Sequence, residues 1–335
     1  MIEAKDVDFH PPIADEPEWA EVISCGFSIP ERDLNVRIYL LFRSQFGVAQ
    51  SSITMISSDA LHPWQADYAD FRPHLPGPTS LRDFELRNGL SFETITPHQS
   101  WRLAFDDGED TAFDVRFDAL MKPYSPFEPN DNPLATGRPA MVDHFEQSGR
   151  YTGWLKLRGE LFQVDSIRMM NHGWGPRRDR NYHGPTGSQG RTWLHAHFAD
   201  GYAVFGMWSF HLDRPDALSL IYGYVLSNGN VIGLVGGEAR VSHDADRYPV
   251  VVEIEVRDHA GTVHHLASEP VHRAIWSSWP NMTTFCVFAR WRSDGHGEGF
   301  GDVLEFTEIA SLTLHNAREK SQNHDFEVSH QPAVR

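Results

Sequence analysis

Between residues 169 and 182 the sequence reads MMNHGWGPRRDRNY, which sets His172 beside Trp174 and follows them with Arg177, Arg178, Asp179, Arg180 and Tyr182. An imidazole that titrates near neutral pH is suited to moving protons, and guanidinium groups with a phenol are suited to holding a carboxylate or a developing oxyanion. The same residues also suit a structural loop, with the arginines pairing to surplus acids and Trp174 closing a barrel end. Gly173, Gly175 and Pro176 predict a strand running into a tight turn, the kind of place where a rigid sheet aims functional side chains.

Two further pairs carry chemistry. His144 and Glu146 lie two residues apart, so on a strand they share a face and form a candidate proton-transfer pair or a solvated face. His195 and His197, in TWLHAHF, share a face by the same rule and are spaced to present two imidazoles to a metal, with His172, Asp200 or His211 as a third ligand. With 19 histidines in the chain such a pair can arise by chance, and no second ligand motif follows at a fixed spacing, so the reading carries no metal. Aromatic residues crowd the same region: Trp193, Phe205 and Trp208, then Tyr222 and Tyr224. Most belong to a core, and a barrel interior lined by them, with inward histidines as polar contacts, would make an apolar ligand pocket.

Other signals are negative. SDGHGEGFGDVLEF has alternating glycines but lacks the strand-to-helix setting and the Lys-Ser/Thr of a phosphate loop, and reads as a turn into the last strand with His296 and Glu298 near a pocket mouth. No Gly-x-Ser-x-Gly elbow or dinucleotide fingerprint is present, so a serine hydrolase or a nicotinamide enzyme has no support. Cys25 and Cys286, the only two cysteines, sit in apolar surroundings and read as small packing residues.

The elements that must position these residues are strands. Period-2 alternation dominates, as in NVRIYLLF, and no long amphipathic helix with start and stop signals is evident. Hairpins follow one another: SWRLAF with TAFDVRFDAL, RYTGWLKL with LFQVDSIRMM, TWLHAHF with YAVFGMWSFHL, and TFCVFARW with VLEFTEIASL. The Pro-rich residues 122–140 predict a long ordered loop or lid, and the polar tail from Asn316 predicts a frayed end. The Gly-rich GPRRDRNYHGPTGSQGR divides two strand-rich halves, which places domains at residues 1–185 and 186–335. Many short strands without a long repeat predict an all-β fold of two antiparallel barrels.

Composition bounds the partners. The formal charge of −17, from 29 basic and 46 acidic residues, excludes nucleic acid and an anionic membrane surface, since both need clustered positive charge. No apolar run approaches the roughly 18 to 20 residues needed to span a bilayer, and the N-terminus lacks an apolar signal core, so the expected compartment is the cytoplasm. A monomer and a homodimer are both compatible with this surface.

The run HFEQSGRYTGWLKLRGELFQVDSIRMMNHGWGPRRDR resembles the lipocalin-like family of carotenoid hydratase (hydroxyneurosporene synthase) and kievitone hydratase. Members of that family show a His-x-Glu segment, a Gly-centred strand pair and a signature close to D-H-S-W-G-P-R. SIPERDLNVRIYLLFRSQFGVAQ and GHGEGFGDVLEF are similar to flanking family segments. The resemblance implies two lipocalin-like barrels side by side, an apolar cavity, no organic cofactor, and proton-transfer chemistry on large apolar molecules. This chain departs from the signature: Asn171 stands where the family has Asp, and Gly173 where it has Ser. An amide does not ionise in the useful range, so if that Asp is the proton donor, Asn171 cannot replace it.

The expectation is therefore a cofactor-independent lyase, with hydro-lyase or isomerase as variants, acting on a bulky hydrophobic or aromatic small molecule. His172, Arg177, Arg178, Asp179, Tyr182, His144 and Glu146 are the expected catalytic residues. Asn171, Trp174, His195, His197, Trp208 and Tyr222 are the expected substrate contacts. The alternatives are a carrier of hydrophobic ligands and a metal enzyme built on His195 and His197.

Overall fold

The computed structural model describes residues 2–12, 16–135, 143–176, 190–276 and 281–329. Ten strands build one antiparallel sheet: β1 (Trp19–Ile29), β2 (Leu34–Arg43), β3 (Val48–Ile56), β4 (Tyr68–Pro76), β5 (Asp83–Glu85), β6 (Leu90–Thr96), β7 (Ser100–Asp106), β8 (Ala112–Ala119), β9 (Asp143–Leu157) and β10 (Glu160–Pro176). Their order is β4-β3-β2-β1-β10-β9-β8-β7-β6-β5, so the sheet curls into a half-barrel with β4 and β5 at its edges. Eight more close a barrel: β11 (Gly190–Phe198), β12 (Ala203–His211), β13 (Arg214–Ser227), β14 (Asn230–His243), β15 (Pro249–Asp258), β16 (Val263–Trp276), β17 (Met282–Ser293) and β18 (Gly297–Glu308).

The hairpins predicted from alternation are present, with β7 pairing β8, β9 pairing β10, β11 pairing β12 and β17 pairing β18. Each half has its own apolar core. Ile23, Phe27, Leu40, Phe113, Phe145, Met170 and Trp174 fill the curled sheet. Leu194, Ala196, Trp208, Val287, Trp291 and Val303 fill the closed barrel. The boundary expected at residues 185 and 186 lies outside the described residues.

Three local expectations are corrected. The segment MMNHGWGP is not a turn: β10 runs through it to Pro176, with Ala20 opposite Gly175 and Trp19 opposite Pro176 on β1. Gly175 takes φ 139°, a conformation open to glycine, which lets the strand continue. The last strand ends at Glu308, four residues earlier than expected, and Ile309–Ser329 forms α1, where a frayed tail was expected. Ala310, Leu312, Leu314 and Ala317 are good helix formers without a clear apolar stripe, so the periodicity signal was weak. Residues 122–135 do form an ordered loop, joined to β9 by a bridge between Tyr124 and Glu146.

β11 and β18 approach closely where the barrel closes. A Cβ at Gly301 would lie 1.8 Å from the carbonyl oxygen of His195, and backbone cannot yield as a flexible side chain can. Gly301→Ala should cost about 1–3 kcal/mol, read as a lower urea midpoint at unchanged slope, as expected for an overpacked site. An unchanged midpoint would show that the strands can part at no cost.

Candidate active site in the seam between the two sheets

Strand alternation decides which side chains meet. On β11, Leu194 and Ala196 point into the barrel core, so His195 and His197 point out of it. On β10, Met170 and Trp174 belong to the core of the curled sheet, whereas Met169 packs against Phe205 and Tyr224 of the barrel. Asn171 lies opposite Glu146 on β9 and opposite Ser24 on β1, so these three share the face turned toward the barrel. The expected pocket inside the barrel is thus corrected: its interior is filled, and the histidines face outward into the seam. Trp208 belongs to that filled interior and Trp174 to the other core, so neither lines the seam. Tyr222 packs on the seam side, beside Phe205.

A line of polar groups crosses this seam. At one end His144 Nε2 lies 2.5 Å from Glu146 Oε1. Glu146 is wholly buried, and burial pushes its carboxyl above the usual range although His144 pulls the other way. Its second oxygen, Oε2, and the Nδ2 of Asn171 have no hydrogen-bond partner among the described residues. Next, Ser148 Oγ lies 3.0 Å from both the Tyr224 hydroxyl and His197 Nε2. Burial lifts the Tyr224 phenol, with Glu146 adding to the effect, and drops His197 well below its usual value, so the tyrosine and the histidine are neutral at pH 7.

At the other end Asp302 of β18 gathers hydrogen-bond donors from the opposite sheet, two of them guanidinium groups. Arg37 donates to Oδ1 at 2.9 Å, Asn35 donates to Oδ1 at 2.8 Å, and Arg168 donates to Oδ2 at 2.5 Å. His195 Nε2 stands 3.5 Å from Oδ2. Burial alone would raise the Asp302 carboxyl, but Arg168 and Arg37 outweigh it and hold it well below the usual range. Burial lowers His195, with Asp302 only partly offsetting it. Two guanidinium groups against one carboxylate leave about one positive charge in the seam, with the Phe288 ring 5.2 Å from the Arg168 guanidinium.

Beside this cluster lies a cavity of about 40 Å³, lined by Arg37, Arg168, Trp193, His195, Trp276 and Asp302 among others. Arg168 Nη1, His195 Nδ1, Trp193 Nε1 and Trp276 Nε1 are buried without a hydrogen-bond partner among the described residues. With both arginines charged, the lining is rich in donors, which suits an oxygen acceptor. The larger hollow, about 510 Å³ and lined by Glu238, Arg240, Glu253, Glu255 and Arg292, shares no lining residue with this cavity, and its charged walls do not suit an apolar molecule.

His172 is placed elsewhere. It packs on the opposite face of β10 from Asn171, with Nε2 2.9 Å from Glu21 Oε2 and Nδ1 donating to the Asp6 carbonyl at 3.0 Å. Arg177, Arg178, Asp179 and Tyr182 lie outside the described residues. His195 and His197 do not converge on a shared third ligand; their Nε2 atoms face Asp302 and Ser148. His296, expected at a pocket mouth, stacks on Tyr202 and bonds Asp200. Cys25 and Cys286 are buried, and burial pushes their thiols up to about 12 and about 11, which makes them packing residues.

Sequence reasoning missed Arg168, Asp302, Ser148, Glu21 and His10. A lone charge inside an apolar strand was the available signal: Glu21 in WAEVI, Arg168 in SIRMM, Asp302 in GDVLEF.

The family described as a domain of unknown function, DUF7064, matches residues 3–310. Among curated proteins none matches the sequence. A Nitrosomonas europaea protein with a provisional AttH assignment is similar in structure, with TM-score 0.54, 14% identity, and coverage of 88% of this chain and 94% of that one. Kievitone hydratase from Nectria haematococca is similar at TM-score 0.52 and 10% identity, over 92% of this chain and 93% of that one. At such identities the likeness is one of fold, and it agrees with the kievitone hydratase part of the resemblance read from the sequence. No helix among the described residues is long and apolar enough to cross a membrane.

Proposed function

The chain belongs to the DUF7064 family, and from that premise we propose that it is a cofactor-independent lyase, of hydro-lyase type, acting on a bulky hydrophobic or aromatic small molecule held at the seam. One observation carries the reading: a wholly buried carboxyl with a raised pKa, Glu146, bonded to the half-buried imidazole of His144. Adding or removing water across a carbon–carbon double bond needs a proton delivered to carbon, or taken from it, by a group poised near neutrality. Burial favours the neutral, proton-carrying form of the Glu146 carboxyl, and His144 at the rim returns the proton to solvent.

The donor-rich cavity fits the other half of the reaction. Arg168, His195, Trp193 and Trp276 would hold a substrate oxygen as charge develops on it. About 40 Å³ takes a hydroxyl or carbonyl group, not a whole drug-sized molecule, which fills roughly 300–1,000 Å³. Only the reacting end would sit between the faces, with Trp193, Phe205 and Tyr222 as aromatic walls. The acid–base role expected of His172 passes in this reading to Glu146 with His144, because His172 turns to the other face of β10. The fold shared with kievitone hydratase supports the same reaction class.

Phenolic and terpenoid alkenes and alcohols incubated with the chain in heavy-oxygen water test the proposal. The expected result is incorporation of one labelled oxygen into a product, abolished in His144→Ala. A bound compound released unchanged, with label in no product, would replace the enzyme by a carrier.

A further inference from the structure

A second cluster lies apart from the seam, where the N-terminal arm crosses the curled sheet. His10, Glu21 and His172 place ligand-capable atoms within 4.8 Å of one another. Glu21 Oε2 is the common point, 2.9 Å from His172 Nε2 and 3.2 Å from His10 Nδ1. Ligands around a tetrahedral zinc ion, with bonds of about 2.0–2.1 Å, stand about 3.3 Å apart, so these spacings need little adjustment.

The far side of each ring points the same way. His172 Nδ1 donates to the backbone carbonyl of Asp6, and His10 Nε2 lies 3.2 Å from the Asp6 carboxylate. One residue thus fixes both tautomers, leaving His10 Nδ1 and His172 Nε2 directed at Glu21. Metal-ligating histidines are oriented in this way, with the outer nitrogen held by a carboxylate or a backbone carbonyl. Trp174 stacks on His10 at 3.7 Å and fixes its plane. Glu21 is fully buried, so its carboxylate meets these two imidazoles away from solvent.

We propose that His10, Glu21 and His172 form a site for a divalent transition-metal ion, of the zinc type, that fastens the N-terminal arm to the curled sheet. Imidazole and carboxylate donors favour zinc and its neighbours over magnesium or calcium. The proposal is independent of the seam reading, because none of the three residues faces the seam.

Calorimetric titration of chelator-treated full-length chain with zinc should show one tight equivalent, bound with release of protons and weakened at acid pH. Cobalt in its place should give the visible absorption of a low-symmetry site. His10→Ala and Glu21→Gln should each weaken binding at least about 100-fold, and Asp6→Asn about 10–100-fold, the range for loss of an outer partner. His243→Ala, at a remote His–Glu pair, should leave it unchanged. Circular dichroism checks folding, and His10, on the arm, serves if Glu21→Gln unfolds. Absence of a stoichiometric equivalent, or unchanged affinity in folded His10→Ala chains, overturns the site and leaves a hydrogen-bonded clamp.

Discussion

Asp302→Ala is expected to lower stability by about 3–5 kcal/mol, the cost of leaving buried charge without its partner. Arg168 is 3% exposed and Arg37 9%, so neither guanidinium can turn to water when the carboxylate goes. Replacing the whole cluster, with Arg37→Met, Arg168→Met and Asp302→Leu combined, should recover most of the loss, because no charge then remains buried. Urea midpoints at constant slope measure both. A loss below about 1 kcal/mol, the range of an exposed pair, would mean that water reaches the arginines. The pH dependence has a definite sign. The Asp302 carboxyl is held well below its ordinary value in the folded chain. Its contribution is therefore complete above the unfolded carboxylate range, near pH 4, and fades as pH falls toward the folded value.

Glu146→Gln should reduce turnover of the seam substrate by about 10²–10⁴-fold, the usual worth of a positioned general acid. The same change should stabilise the chain at neutral pH. Burial raises the Glu146 carboxyl in the folded state, so the unfolded chain ionises first. The advantage of the neutral form is complete below the unfolded value, near pH 4.3, and is lost as pH rises through the folded value. An amide pays no such penalty, so the variant's melting temperature should exceed the wild type's at pH 7 and converge with it toward pH 4. Thermal scans across that range, beside activity assays, separate the two effects. Reduced stability at every pH would make Glu146 a structural partner of His144 and remove the acid role.

Alternation made most strands legible, and it put His144 and Glu146 on one side of β9 without any structure. It could not say which side of β11 is the barrel interior, because Leu194 and His195 both sit in aromatic surroundings. Hence His195 and His197 were expected inward and are found outward. The same ambiguity separated Asn171 from His172: adjacent residues on a strand serve opposite faces, and the signature alone does not choose between them. Asp302 was hidden because GEGFGD reads as a turn, and His10 because an acidic arm has no period. Both meet partners through pairings between distant parts of the chain, such as Asn35 with Asp302 and His10 with Trp174.

The pairing of β1 with β10 has a consequence for how the chain is made. Trp19 finds Pro176 only after every intervening strand has left the ribosome, and at about 5–20 residues per second that is a wait of many seconds. Such non-local closure is slow even for a released chain. Asp302 belongs to β18, so Arg37 and Arg168 stay without their counter-ion until β18 has been made. The seam cannot be completed before β18 is made, and a nascent chain halted before β18 carries two unneutralised arginines on the face where the barrel should dock.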